Sequence, residues 1–141
     1  RVVATDHAPH LPSEKQNNYT KAPSGIPLIQ HSLQLMLELH KKGVFDLEDV
    51  VARMSHGPAE CFNIKGRGFI REGYYADLAI VNLNLPDNSP TNFPAYKCGW
   101  TPIREEELDF GVAHTFVNGI QVVKDYKLTG ANAGRRLTFD R

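Results

Sequence analysis

Val2-Val3-Ala4-Thr5 constrains the fold of this chain more than any other stretch. Strand-forming residues in unbroken succession, without polar alternation, read as a strand buried on both faces, the pattern of a parallel sheet covered by helices. The run stops at Asp6-His7-Ala8-Pro9-His10, where a carboxylate and two imidazoles share a short loop stiffened by Pro9. A buried strand with titratable groups at its C-terminal tip is how an α/β barrel presents catalytic side chains. Asp and His at that place can bind a metal, move a proton or grip an anionic substrate. The chain opens on this strand with no Met and no polar lead-in, so we expect it to be the tail of a longer enzyme.

Composition narrows the function classes. The 141 residues are 41% hydrophobic and 23% charged, ordinary for a soluble globular protein. Sixteen basic residues balance sixteen acidic ones, which gives no electrostatic reason to expect nucleic acid or an anionic membrane as partner. No apolar stretch approaches the roughly 20 residues needed to cross a bilayer. Cys61 and Cys98 form no CxxC pair; they read as reduced thiols of a cytoplasmic protein and argue against a cysteine zinc site.

Along the chain, polar Leu11 to Pro23 reads as a loop lying over the strand end. A helix follows, with Pro27 in its first turn, Lys41 and Lys42 in its last, and Gly43 as its stop. Ile29, Leu33, Met36 and Leu37 form its apolar face, widened by Leu28, Leu35 and Leu39. Asp46 is placed to cap a second helix with a stripe of Leu47, Val50, Val51 and Met54, ended by Gly57-Pro58; Pro58 then opens a short turn through Phe62. Beyond this the character changes. Leu78 to Val81 is a strand candidate, and Asp87 to Pro102 an irregular, proline-rich crossing. Asn118-Gly119, between His114–Val117 and Ile120–Val123, is a strong hairpin signal. The boundary falls near Asn63 to Gly68, giving residues 1–64 as a last barrel strand with helices and residues 65–141 as a small β layer.

Asp6 is the leading candidate for chemistry, against the plain role of a turn-forming Asp after a strand. His10 could be a ligand or an anion grip. Strand alternation turns His7 away from Asp6, so a supporting or packing role fits it at least as well. His31, His40 and His56 read as helix-surface or capping residues, and His114 as structural. Trp100 and Glu105-Glu106-Glu107 read as a packed loop and a solvated face. At Ser24-Gly25, a Gly before a helix lets a ligand approach backbone groups that can read a planar amide, though a simple helix-entry turn explains it equally. Three side chains on one loop do not make a metal site, since a catalytic zinc takes three protein ligands, often from separate strands.

Asp6-His7-Ala8-Pro9-His10 after its strand resembles the late barrel motif of the dihydroorotase family, in the cyclic-amidohydrolase branch of the amidohydrolase superfamily. Ala22-Pro23-Ser24-Gly25-Ile26-Pro27 is similar to that family's substrate loop. Ser55-His56-Gly57-Pro58-Ala59 is similar to its Asn-Pro-Ala segment, with Gly57 where Asn is usual. The segments 65–73, 76–81 and 98–102 are similar to its return into a β-sandwich domain and to the loop before its final hairpin.

The resemblance implies an α/β fold: the C-terminal part of a metal-dependent (β/α)8 TIM barrel followed by a small β-sandwich segment. It implies zinc-dependent, reversible hydrolysis of dihydroorotate to carbamoyl aspartate in pyrimidine synthesis. Asp6 would be both zinc ligand and general base, His10 would bind the substrate carboxylate, and the Ser24 and Gly25 backbone would hold the ring. The remaining ligands for one or two zinc ions would lie upstream, so the segment alone is expected to be inactive. Expected partners are a small-molecule substrate and, among proteins, a second copy of the chain or its N-terminal part. The rival readings are a hydantoinase, dihydropyrimidinase or allantoinase, or a non-catalytic dihydroorotase-like scaffold subunit.

Overall fold

The computed structural model describes residues 1–84, 95–104 and 108–140. Pro86, Pro90 and Pro94, in or beside the expected crossing, and the Glu105-Glu106-Glu107 face lie outside the described residues. A helical half precedes a four-stranded sheet.

Val2–Thr5 is not a strand here, which corrects the first expectation. A strand exists only through a neighbour's hydrogen bonds. The chain enters a ladder only at His7, which makes one parallel bridge to Ile26. Val2 is 36% exposed, and the Val3 N–H donates instead to the Arg53 carbonyl at 3.2 Å. The expected loop after Leu11 holds a single helical turn, α1 (Pro12–Lys15). Pro12 stands at the first position, and the Glu14 carboxylate accepts the Leu11 N–H at 2.7 Å.

The first long helix begins as a 3₁₀ turn over Ile29–His31 and continues as α2 (Ser32–Lys41). It starts two residues after Pro27, where His7 accepts the amide groups that open it. At the other end Gly43 adopts φ +72°, and the Val44 N–H returns to the Leu39 carbonyl. This left-handed glycine terminates the helix as expected.

The second helix does not end at Gly57. It runs through α3 (Leu47–Val51), a π turn over Ala52–His56 and α4 (Gly57–Cys61). Pro58 cannot donate an N–H, and its ring crowds the preceding turn. The wider π turn, with the Gly57 N–H reaching the Ala52 carbonyl, carries the helix past it. Asp46 sits at the cap position in extended geometry but makes no side-chain capping bond. Of the expected stripe only Val50 is fully buried.

The sheet is an antiparallel meander ordered β1 (Leu78–Asn82), β2 (Gly111–Val117), β3 (Ile120–Lys124) and β4 (Lys127–Leu128). Asn118 and Gly119 make the expected tight turn with φ of +51° and +80°. A second tight turn at Asp125-Tyr126, also left-handed, was not expected, because neither position offers the usual glycine.

Helix and sheet meet through polar groups. Gln34 donates to the Phe110 carbonyl at 2.9 Å, Glu38 accepts the Asp109 N–H at 2.6 Å, and Lys41 pairs with the Asp109 carboxylate. These three positions share one face of α2 at helical spacing. The apolar face is less covered: Met36 and Leu37 are buried, while Ile29 is 58% exposed.

Candidate functional site

Asp6 lies where the chain turns out of its extended N-terminal run. Its φ of +46° is left-handed, a conformation Asp tolerates better than most residues but which still carries strain. Asp6 is exposed, and its carboxylate has no hydrogen-bond or ion-pair partner among the described residues. Such a carboxylate is available to a proton or a cation.

The loop that follows is fixed by its neighbours. The Ala8 N–H donates to the Ile26 carbonyl at 3.0 Å, and the His10 N–H turns back to Ala8 at 2.9 Å. His7 Nδ1 accepts the Leu28 N–H at 3.0 Å, with the Ile29 N–H at 3.4 Å. Nδ1 is therefore the unprotonated nitrogen, and the ring caps the helix start from another loop. Its other contact is Tyr96, with ring centroids 5.1 Å apart. This is the supporting role weighed for His7.

His10 sits at the loop's far end. Its Nδ1 is 3.8 Å from the Glu14 carboxylate, and its backbone carbonyl accepts the Trp100 indole N–H at 2.8 Å. Trp100 thus belongs to a packed loop, as expected, and that loop pins the candidate site from the far end of the sequence.

Gly25 has φ +89°, and a Cβ there would stand 2.5 Å from the Ala8 Cβ. Only glycine lets the two loops approach so closely. Lys15, which sequence reasoning left unnoticed, spans the same two loops. Its ammonium donates to the Pro23 carbonyl at 2.8 Å and the Gly25 carbonyl at 2.5 Å. A lone lysine within a polar loop carries no signal of this in sequence.

The structure therefore puts Asp6, His10, Ser24 and Gly25 on two loops joined by Ala8 and Ile26. None of the four lines the cleft of about 610 Å³ between the start of the helix and the sheet, whose walls include Ile29, Tyr96, Val112, Val123 and Tyr126. The candidate residues are presented at an open edge of the described structure.

The remaining histidines require one correction. His31 is only 1% exposed, not a helix-surface residue. Its Nδ1 faces the Tyr96 hydroxyl at 3.2 Å and the Thr101 hydroxyl at 3.4 Å, and burial pushes its pKa below the ordinary 6.5. His40 Nδ1 meets the Phe45 carbonyl at 2.9 Å, beyond the helix end. His56 stacks on Phe69, and His114 Nδ1 accepts the Asp125 N–H at 3.2 Å. Cys61 and Cys98 are both free thiols.

As a metal donor Asp6 fits singly. Among the described residues no group of three His, Cys, Asp or Glu side chains could hold a metal ion. Nor is any helix among them long and apolar enough to cross a membrane.

Comparison with known proteins defines the class. Residues 2–122 match the model of the amidohydrolase family, and the chain belongs to that family. Among curated relatives it is similar to a dihydroorotase from Pyrococcus abyssi, 32% identical over 136 residues, covering 96% of this chain and 32% of that protein. It is also similar to a dihydroorotase from Endomicrobium trichonymphae, 42% identical over 118 residues, covering 83% of this chain and 28% of that protein. The chain thus spans about a third of the length of these relatives. Among solved structures, a D-hydantoinase from Bacillus sp. AR9 superposes with a TM-score of 0.78 at 24% identity, over 99% of this chain and 33% of that one. A Thermus sp. D-hydantoinase gives 0.75 at 24% identity, over 92% of this chain and 30% of that one. The fold is part of the amidohydrolase fold, and family membership carries with it a metal cofactor in general.

Proposed function

We propose that this chain is the C-terminal third of a dihydroorotase, a cytoplasmic enzyme that opens the ring amide of dihydroorotate to carbamoyl aspartate in pyrimidine synthesis. The observation that carries the reading is Asp6: an exposed carboxylate on a left-handed backbone, without a partner among the described residues, in a loop that Ala8 bonds to Ile26 beside Ser24 and Gly25. The identity to dihydroorotases, and His10 in its place at the end of the motif, favour this substrate over a hydantoin.

In this reading Val2–Thr5 are the last strand of a (β/α)8 barrel, paired with strands the present chain does not supply. Residues 1–64 complete the barrel, and residues 65–141, carrying the meander, contribute to a β-sandwich. Zinc is the metal we assign, with Asp6 as one of its ligands; bound there it would polarise the substrate carbonyl and make water nucleophilic at neutral pH.

The chain's own groups supply the rest. The Asp6 carboxylate accepts a proton from the attacking water and returns it to the ring nitrogen as that bond breaks. His10 donates a hydrogen bond to the substrate carboxylate, with the Glu14 carboxylate 3.8 Å from its Nδ1. Backbone groups of Ser24 and Gly25 meet the planar ring amide, which no side chain in that loop is needed to read.

The test is ring opening by the full-length protein, supplied with zinc, on dihydroorotate, hydantoin, dihydrouracil and allantoin in parallel. Dihydroorotate is expected to give a kcat/KM at least about 100-fold above the others, a margin that recognition of its carboxylate can provide. A preference for another ring would move the protein to that branch. Inactivity on all four would favour the scaffold reading.

A further inference from the structure

We propose that Lys15 is a positioning residue that sets which backbone groups of the Ser24-Gly25 loop face a ligand. The inference rests on the dihydroorotase reading for the identity of that ligand, but its structural part stands on this chain alone.

The loop before α2 has carbonyls at Pro23, Ser24 and Gly25. Lys15 Nζ takes two of them, Pro23 at 2.8 Å and Gly25 at 2.5 Å. The next carbonyl, Ile26, is taken by the Ala8 N–H. Ser24 is left between two engaged neighbours. Its N–H and C=O, like the Gly25 N–H, have no partner among the described residues, and Ser24 is exposed. A donor and an acceptor on one residue are the chemical complement of a ring amide, which carries its own N–H and C=O on one edge.

An alternating chain of carbonyls has no intrinsic reason to turn this way. Pro23 and Gly25 could equally face outward, which would present a row of acceptors and repel a substrate rich in carbonyl oxygens. A single ammonium, with three donors and no acceptor, gathers two carbonyls to one side. It also leaves a positive charge beside the site of an anionic substrate. Lys15 reaches the loop because α1 reverses the chain just after His10, with the Lys15 N–H on the Leu11 carbonyl at 3.2 Å. The same turn places Glu14 near His10, so one short helix serves both substrate-facing groups.

The geometry makes Lys15 responsible for substrate binding rather than for proton transfer. In the full-length protein, Lys15→Met keeps an unbranched side chain out to Cε and removes every donor. We expect its KM for dihydroorotate to rise roughly tenfold or more, with kcat within about threefold of wild type. Lys15→Arg, which can still donate to two carbonyls, should recover most of the loss. Amide hydrogen exchange at Ala8, whose N–H is bonded to the Ile26 carbonyl at the end of this loop, supplies a readout that does not depend on turnover: Lys15→Met should speed it about tenfold or more. An unchanged KM in an active enzyme, an equal loss in Lys15→Arg and Lys15→Met, or unchanged exchange at the Ala8 amide would each overturn the proposal. Should Lys15→Met fail to fold, Lys15→Gln, with its single neutral amide donor group, is held to the same outcomes. Absence of dihydroorotate turnover by the wild-type protein would instead overturn the functional reading, and amide exchange alone would then decide the role of Lys15.

Discussion

Gly119 in the meander and Gly25 at the candidate site have nearly the same backbone conformation, φ +80° and +89°. At Gly119 a Cβ would meet nothing within 4 Å, whereas at Gly25 it would strike the Ala8 Cβ at 2.5 Å. The first glycine serves a turn between strands that are neighbours in sequence. The second serves the approach of two separate loops. The same contrast runs through both regions. The meander is held by ladders between consecutive strands and by tight turns. The site loops are held by side chains reaching across sequence: His7 to Leu28, Lys15 to Gly25 and Trp100 to His10. Local pairing makes a shape that depends on few other parts, while long-range clamps make one that fails if any of several distant residues is lost.

The sharpest way to separate the regions is Asp6. In the full-length protein Asp6→Ala should lower kcat by about 10⁴-fold or more, since the proposed proton acceptor and metal donor vanish together. Far-UV circular dichroism should be unchanged. Residual turnover within tenfold of wild type would remove Asp6 from the chemistry.

The two glycines come next. Gly25→Ala should cost about 1–3 kcal/mol of stability and raise KM, because strain and overlap act where the loops meet. Gly119→Ala should cost only about 1 kcal/mol and leave KM alone. Urea unfolding and steady-state kinetics on both variants check this pair. Equal KM values would mean that the approach of the loops does not shape the site.

The smallest effect is a pH dependence from His31. Burial holds its pKa below the ordinary 6.5, so the folded protein resists a proton that the unfolded chain accepts. Its contribution is fully present above pH 6.5 and declines as pH falls below that value, at no more than about 1.4 kcal/mol per pH unit. His31→Gln should flatten that part of the slope when urea midpoints at about pH 7.5 and about pH 5.5 are compared. An unchanged slope would place its origin elsewhere.

Patterns within a few residues were legible. The stop at Gly43, the hairpin at Asn118-Gly119 and the strand at Leu78 were each expected and found. Features depending on distant neighbours were not. Val2–Thr5 has a strand's composition but no ladder. Gly57-Pro58 looks like a helix end, yet a π turn carries the helix through. His31 on a helix looked exposed until Tyr96 and Thr101 covered it.

For the candidate site, the order of residues pointed to Asp6 and His10, because an acidic and a basic group after an apolar run are informative where they stand; Ser24 and Gly25 read equally as a helix-entry turn and became candidates through the family resemblance. It could not single out Lys15 or Trp100. Their importance lies in the partner each one reaches, eight to ten residues away for the lysine and ninety for the indole. A linear pattern encodes what a residue is able to donate. Which carbonyl receives it is settled only when packing brings the two together, since that choice depends on every contact that positions both.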